Sequence, residues 1–311
     1  MKYKHLFGPV PSRRLGMSLG VDLVPHKVCT FNCVYCEVGK TTNHTLERKE
    51  YVPIVEVLDE LSHYLSQEPV LDFITFSGAG EPTLNSGIGE VAEFIKENYP
   101  KYKLALLTNS SLLGQEEVRN EVINVDLILP SLDAVSQDVF VKINQPQEGI
   151  FSEKIIESLI RFNQEFSGEM WLEVFIVPAV NDTKSELKLM KKAIKQIKPA
   201  KIQLNTLDRP GTENWVQPKT EKELKKILKF FKPLPVEIIA KFRTHGQFFS
   251  FNEDIENQIF ETIRRRPCTS ADLSEMLGLP ESEINKYLKE LLILKKIFTE
   301  SRERGVFYRA L

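Results

Sequence analysis

The chain has 311 residues, a mass of 35.7 kDa, 42% hydrophobic and 27% charged residues, and 41 Lys plus Arg against 43 Asp plus Glu for a net charge of −2. That length implies about two domains, with cores large enough to need no covalent staples. The charge balance excludes a broadly basic nucleic-acid coat and a strongly acidic disordered tail. The N-terminus lacks an apolar signal-peptide run, and no stretch nears the roughly 18 apolar residues of a membrane span. The expectation is a cytoplasmic protein without membrane association, in a compartment that keeps thiols reduced.

The first predicted strand, Ser18 to Val24, runs into a cysteine loop. A helix follows over Ile54 to Leu65, with Ile54, Leu58, Leu61 and Leu65 at helical spacing. Leu71 to Phe76 reads as a buried strand ending at Ser77-Gly78-Ala79-Gly80-Glu81-Pro82. A helix near Gly89 to Glu97 precedes strands at Lys103 to Leu107 and Asp126 to Pro130. Phe151 to Phe166 is amphipathic, with Ile155, Leu159, Phe162 and Phe166 on one face. Strand Trp171 to Val177, helix Lys184 to Lys195, strand Lys201 to Asn205, a helix around Glu221 to Phe231 and a short apolar run, Val236 to Ala240, complete this part. Six strands alternating with helices predict parallel βαβ units, with ligands at the strand ends.

The last sixty or so residues change character. Ile255, Ile259 and Ile263 share a helical face. Thr269 to Asp272 reads as an N-cap for Leu273 to Leu277, and Gly278 ends that helix. Pro280 starts another, with Ile284, Leu288 and Leu291 on one face. Strands at Ile297 to Glu300 and Val306 to Arg309 flank a polar turn. Helices followed by a hairpin predict a small winged helix-turn-helix domain at 246–311, after a barrel domain at 1–245.

Three of the four cysteines fall in Cys29-Thr-Phe-Asn-Cys33-Val-Tyr-Cys36, a C-x3-C-x2-C spacing that scattered cysteines rarely produce. Three reduced thiolates suit a soft metal. An iron–sulfur cluster, zinc with His26 or His44 as a fourth ligand, and a purely structural role all fit the bare spacing. Cys268 reads as a small buried residue.

These three cysteines match the signature of the radical SAM superfamily, which the sequence resembles over about residues 15 to 210. The resemblance implies an α/β fold, a partial (β/α)6 barrel. It implies a [4Fe–4S] cluster on Cys29, Cys33 and Cys36, with one iron open to S-adenosylmethionine (SAM). Reductive cleavage of SAM then yields methionine and a 5′-deoxyadenosyl radical that abstracts hydrogen from a substrate. By the same resemblance Gly78, Gly80 and Glu81 orient the methionine amino group, and Tyr35 packs near adenine. Thr108, Asn109, Ser131 and Asp133 match positions meeting the methionine carboxylate and ribose, and Val177 an adenine-contacting strand end. A flavodoxin- or ferredoxin-like protein is the implied electron donor.

Phe7 to Gly16, Lys142 to Pro146 and Gln203 to Thr206 resemble the wyosine-synthase-like Fe–S oxidoreductases. True wyosine synthases carry a second cluster on additional cysteines, which this chain lacks. Substrate-binding candidates are Arg13 and Arg14, for phosphate or carboxylate, and Asn205, Asp208 and Arg209 after the last barrel strand. From residue 253 onward there are ten basic and eleven acidic residues, a weak footprint for a phosphate binder. Three functions stand as expectations: modification of an RNA base, with tRNA foremost; radical chemistry on a peptide, protein or small metabolite; and an Fe–S redox sensor acting through the winged helix.

Overall fold

A computed structural model describes residues 3–12, 14–239 and 255–311. Among them, eight strands form one sheet in the order β1-β2-β5-β6-β7-β8-β9-β10. These are β1 (Leu6–Ser12), β2 (Gly16–Val21), β5 (Phe73–Phe76), β6 (Lys103–Thr108), β7 (Leu127–Pro130), β8 (Glu169–Phe175), β9 (Lys201–Asn205) and β10 (Val236–Ile238). A separate two-stranded pair, β3 (Val28–Cys29) and β4 (Asn43–His44), frames the cysteine loop. β1 runs antiparallel to β2, and every other pairing in the main sheet is parallel. The connections carry α1 (Ile54–Leu65), α2 (Ile88–Asn98), α3 (Glu116–Val122), α4 (Gln137–Asn144), α5 (Ser152–Glu165), α6 (Lys184–Ile197) and α7 (Glu221–Phe231). This is a parallel α/β sheet curved into an open barrel.

The six predicted strands all form, within a few residues of their predicted ends. The sheet adds two more. β1 contains Gly8, Pro9 and Pro11, so its composition reads as a loop; its register breaks between Phe7 and Val10, and as an edge strand it tolerates the missing amides. β10 was visible only as an apolar run. Helices α3 and α4 are also additions, short and weakly periodic.

Alternation along the strands decides what each face carries. Leu19, Val21, Ile74, Phe76, Leu104, Leu106, Ile128, Leu172, Val174, Ile202 and Leu204 all belong to the core shared with the helices. Their neighbours form the opposite, inner face. Ala105, Leu127 and Leu129 make a small apolar layer there with Leu15. Phe73, Leu107 and Trp171 pack against that layer, and the same face also carries polar side chains: Ser18 with Thr75, then Glu173, Gln203 and Asn205. Polar side chains inside a barrel are what a site for a hydrogen-bonding substrate requires.

The C-terminal segment folds as α8 (Ile255–Arg265), α9 (Ser270–Leu277), α10 (Glu281–Ile293) and a hairpin of β11 (Ile297–Arg302) and β12 (Gly305–Ala310). Thr269 and Asp272 cap α9 reciprocally, and Gly278 ends it in the left-handed conformation. Cys268 is fully buried and bridges Tyr308. The predicted boundary at residues 245–246 lies outside the described residues.

This segment touches both lips of the open barrel. On one side Arg265, at the end of α8, places Nε and Nη2 each 2.8 Å from Asp22 Oδ2, just after β2, and stacks 4.7 Å from the Phe7 ring. Val10 of β1 packs against the segment's own core. On the other side Arg304 lies 3.6 Å from Asp208 and Arg302 donates to Asn214 at 3.0 Å, both beyond β9. Arg265 and Asp22 are 10% and 13% exposed. Losing one partner of so buried a pair leaves the other charge uncompensated. Arg265→Met is expected to lower unfolding free energy by about 3 kcal/mol in urea denaturation; a loss under about 1 kcal/mol would remove this pair as the joint between the two parts.

Candidate functional site

The cysteine loop spans the C-terminal ends of the strands. Its backbone is pinned to the end of α4 by Asn32 N to Asn144 O at 3.1 Å and Val34 N to Ile143 O at 2.9 Å. Phe31 meets Phe140 edge-on at 5.4 Å. Cys29, Cys33 and Cys36 are unpaired and partly buried. Each sulfur faces one side-chain N–H donor: Asn109 Nδ2 at 3.6 Å from Cys29, Asn144 Nδ2 at 3.5 Å from Cys33, and Lys27 Nζ at 3.1 Å from Cys36. Such donors suit sulfurs that bear negative charge.

Burial pushes the Cys29 thiol up to about 12 and the Cys33 thiol well above its ordinary value; neighbouring Cys36 adds to both, behind Glu81 for Cys29. Buried thiols like these ionise when a metal replaces the proton. Among the described residues no three His, Cys, Asp or Glu side chains converge as a single ion would require. In a cubane each thiolate binds a different iron, so three sulfurs around one loop fit a cluster better than a lone zinc. His44 is committed elsewhere, with Nε2 2.9 Å from the Thr30 carbonyl oxygen.

After β5 the chain turns through Gly78 to Glu81. Gly78 has φ +135°, and a Cβ there would lie 1.6 Å from Asp22 Oδ1; at Gly80 it would lie 2.0 Å from the Val28 carbonyl oxygen. Only glycine allows this approach to the cysteine loop. Asp22, which also holds Arg265, accepts the Ala79 amide at 3.3 Å. The Glu81 side chain is 2% exposed. Its Oε1 accepts from Thr83 N, Thr83 Oγ1 and Thr108 Oγ1, at 3.2, 2.6 and 2.7 Å, and its Oε2 from Asn109 N at 2.7 Å. Glu81 therefore ties the end of β5 to the end of β6. Asn109 also donates to Thr30 Oγ1 at 2.7 Å, which sets its amide against Cys29.

A second buried carboxylate organises the far side. Asp133 accepts from Tyr35 OH at 2.5 Å, Asn144 Nδ2 at 2.8 Å and Phe175 N at 2.9 Å. Burial raises its pKa to about 6, against the pull of Tyr35 and Asn144. The Tyr35 ring stacks on Phe175 at 3.8 Å. Asn181, fully buried, accepts from Val177 N and donates to the Asp133 and Phe175 carbonyls. Ser131 joins through the backbone, its amide donating to Thr108 O at 3.0 Å.

The substrate candidates divide. Arg13 lies outside the described residues. Arg14 and Asn205 come together inside the barrel on Glu173, whose Oε1 accepts from Arg14 Nη2 at 2.5 Å and Asn205 Nδ2 at 2.8 Å. Arg14 Nη1 is buried without a hydrogen-bond partner among the described residues. Arg209 and Asp208 belong to an outer network instead. Arg209 donates Nη1 to Glu37 at 3.1 Å, and Asp208 pairs with Arg304. Sequence reasoning missed Lys27, Glu37, Asn144 and Glu173 as site residues. Asn144 at least sat within the Lys142 to Pro146 motif; Glu173 gave no signal beyond being polar in a strand.

The model of the Radical SAM superfamily matches residues 23–194. The chain is 34% identical over 320 residues to UPF0026 protein MJ1312 of Methanocaldococcus jannaschii, covering 96% of this chain and 98% of that one. It is 35% identical to a UPF0026 protein of Helicobacter pylori, covering 98% and 97%. It is also 35% identical to a protein named GTPase Obg of Brachyspira hyodysenteriae, but spans only 44% of that longer chain against 96% of its own. Among solved structures, a radical SAM methyltransferase from Sphaerobacter thermophilus aligns with TM-score 0.54 and 16% identity over 71% of this chain and 65% of that one. TYW1 with a lysine-pyruvate adduct aligns with TM-score 0.54 and 15% identity over 72% and 75%. No described helix is long and apolar enough to cross a membrane. With the strand-end loops, the cysteine triplet and these matches agreeing, the chain belongs to the radical SAM superfamily, whose enzymes use a [4Fe–4S] cluster and SAM, and within it to the family of the UPF0026 proteins.

Proposed function

We propose that this radical SAM enzyme modifies a base in RNA, with tRNA as the first substrate to test. The observation that carries the reading is the group inside the barrel: the Arg14 guanidinium, the Glu173 carboxylate and the Asn205 carboxamide, with Arg14 Nη1 buried and without a partner among the described residues. Donors and acceptors side by side suit the hydrogen-bonding edge of a nucleobase. A buried unpaired donor costs free energy that a substrate acceptor recovers.

Cys29, Cys33 and Cys36 would hold the cluster. When bound, the cluster supplies one electron that cleaves SAM to methionine and a radical able to take hydrogen from a substrate. The residues around it bind, orient and exclude water. Gly78 and Gly80 let backbone approach the methionine end. Glu81 holds that loop in shape together with Thr108 and Asn109. Tyr35, held by Asp133 and stacked on Phe175, offers a flat wall for adenine, and Ser131, Asp133 and Val177 line the far side. A flavodoxin- or ferredoxin-like protein would supply the electron.

We read residues 255–311 as a winged helix that seats a macromolecular substrate. A cavity of about 770 Å³ lies between its hairpin and the loop after β9, with Lys219, Arg302 and Arg304 among its lining residues. It suits the part of a substrate that stays outside the barrel. A second reading, a protein or peptide substrate, has its own support: Ile293, Leu294 and Phe298 are exposed on this domain, and an apolar face suits a protein partner. A regulator that merely senses redox state has no use for SAM-facing loops, which speaks against a pure sensor.

Anaerobic reconstitution, reduction and addition of SAM, with and without bulk tRNA, test the function. The expected result is tRNA-dependent 5′-deoxyadenosine and a shifted nucleoside mass; formation indifferent to tRNA would overturn the RNA reading in favour of a peptide or metabolite. Arg14→Met is expected to lose the tRNA stimulation while binding SAM normally. Cys33→Ala should lack the visible Fe–S spectrum after reconstitution, and a normal spectrum would remove the ligand assignment. Glu81→Ala releases several buried donors at once, so SAM affinity should fall about tenfold or more. An unchanged affinity by equilibrium dialysis would separate Glu81 from the SAM site.

A further inference from the structure

Lys27 is only 3% exposed, although ammonium groups are rarely buried this deeply without a carboxylate. Among the described residues no carboxylate lies within ion-pairing distance of it. Its side-chain partner is a sulfur, Cys36 Sγ, at 3.1 Å. The backbone is committed as well. Lys27 has φ 60°, in the left-handed region that a non-glycine residue adopts only under strain. It is held there by Lys27 N to Ala79 O at 2.7 Å and by the Thr42 and Asn43 amides, each 3.1 Å from its carbonyl oxygen. The fold thus accepts both a strained backbone and a buried cation to put one ammonium beside one cysteine. The other two cysteines meet neutral donors, the amides of Asn109 and Asn144.

We propose that Lys27 is a positioning residue that sets the reduction potential of the cluster, as the one charged donor directed at its cysteine sulfurs among the described residues, acting through Cys36. This rests on the proposed assignment of Cys29, Cys33 and Cys36 as cluster ligands. Hydrogen bonds and net charge at the thiolates are the levers by which a protein tunes such a centre. Reduction adds one negative charge. A fixed positive charge in a poorly solvated site stabilises the reduced form more than the oxidised form and raises the potential. The two asparagine amides orient their sulfurs but bring no charge. Lys27 also hydrogen-bonds Ala79 through its backbone, so the same residue joins the cysteine loop to the turn at Gly78 and Gly80.

The test is an EPR-monitored redox titration of the full-length, cluster-loaded protein without SAM. Lys27→Met keeps the length and apolar stem but loses charge and donor; Lys27→Gln keeps a donor without charge; Lys27→Arg keeps both. The first two should load iron and sulfide like the parent. At a fixed ambient potential they should show a roughly tenfold lower reduced-to-oxidised ratio, equivalent to about 59 mV for a one-electron couple. Lys27→Arg should stay near the parent. Equal potentials in parent, Met and Gln variants would overturn the proposal. So would failure of all three variants to load a cluster, which would make Lys27 a residue for assembly instead. A full Fe–S spectrum in Cys36→Ala would fail the ligand reading, a result distinct from an unmoved potential in an intact cluster.

Discussion

Three cysteine sulfurs must be held at one end of a barrel while the donors that face them stay anchored. The donors that meet them, from Lys27, Asn109 and Asn144, are each fixed by something else. Asn109 is set by Thr30 and by the hydrogen bond from its backbone N–H to the Glu81 carboxylate, and Asn144 by Asp133. Lys27 is set by the hydrogen bond from its backbone N–H to the Ala79 carbonyl oxygen. Glu81 and Asp133 are therefore braces: buried carboxylates that gather donors from different strand ends. A half-satisfied network of this kind is worse than an apolar core, so its parts hold together or not at all.

The same logic extends outward. Asp22 accepts from the Gly78–Glu81 turn and pairs with Arg265 of the C-terminal segment, so that segment is connected to the candidate SAM loop through one carboxylate. On the opposite lip Arg209 holds Glu37, one residue after the last loop cysteine, while Asp208 of the same turn meets Arg304. The C-terminal segment spans the open side of the sheet between β1–β2 and the loop after β9.

Much of this was legible in the chain itself. The cysteine spacing, the Gly78-Ala79-Gly80-Glu81 turn and six strands alternating with helices are local signals, written in spacing and periodicity. So is the Thr269–Asp272 cap. What was not legible lies at long range. β1 looked like a loop because its prolines lack amides, which an edge strand tolerates. Glu173 is a polar residue in a strand until Arg14 and Asn205, far away in sequence, meet it inside the barrel. Asp208 and Arg209 follow β9 as the motif suggested, yet point into ion pairs with Glu37 and Arg304. A side chain's direction there depends on which neighbours the fold supplies.

By itself, then, the sequence determined the superfamily, the parallel α/β class, the thiol triplet and the positions of the strand-end loops. These depend on residue type and on separations within about one turn or one strand. The tertiary structure alone decided which donor faces which sulfur, that Glu81 and Asp133 are saturated braces, and that Lys27 is a buried cation. It also decided that the C-terminal segment reaches across the barrel's open side. The physical reason is burial: the cost of a charge or an unpaired donor depends on what packs around it, and those partners come from segments that meet only when the chain has folded.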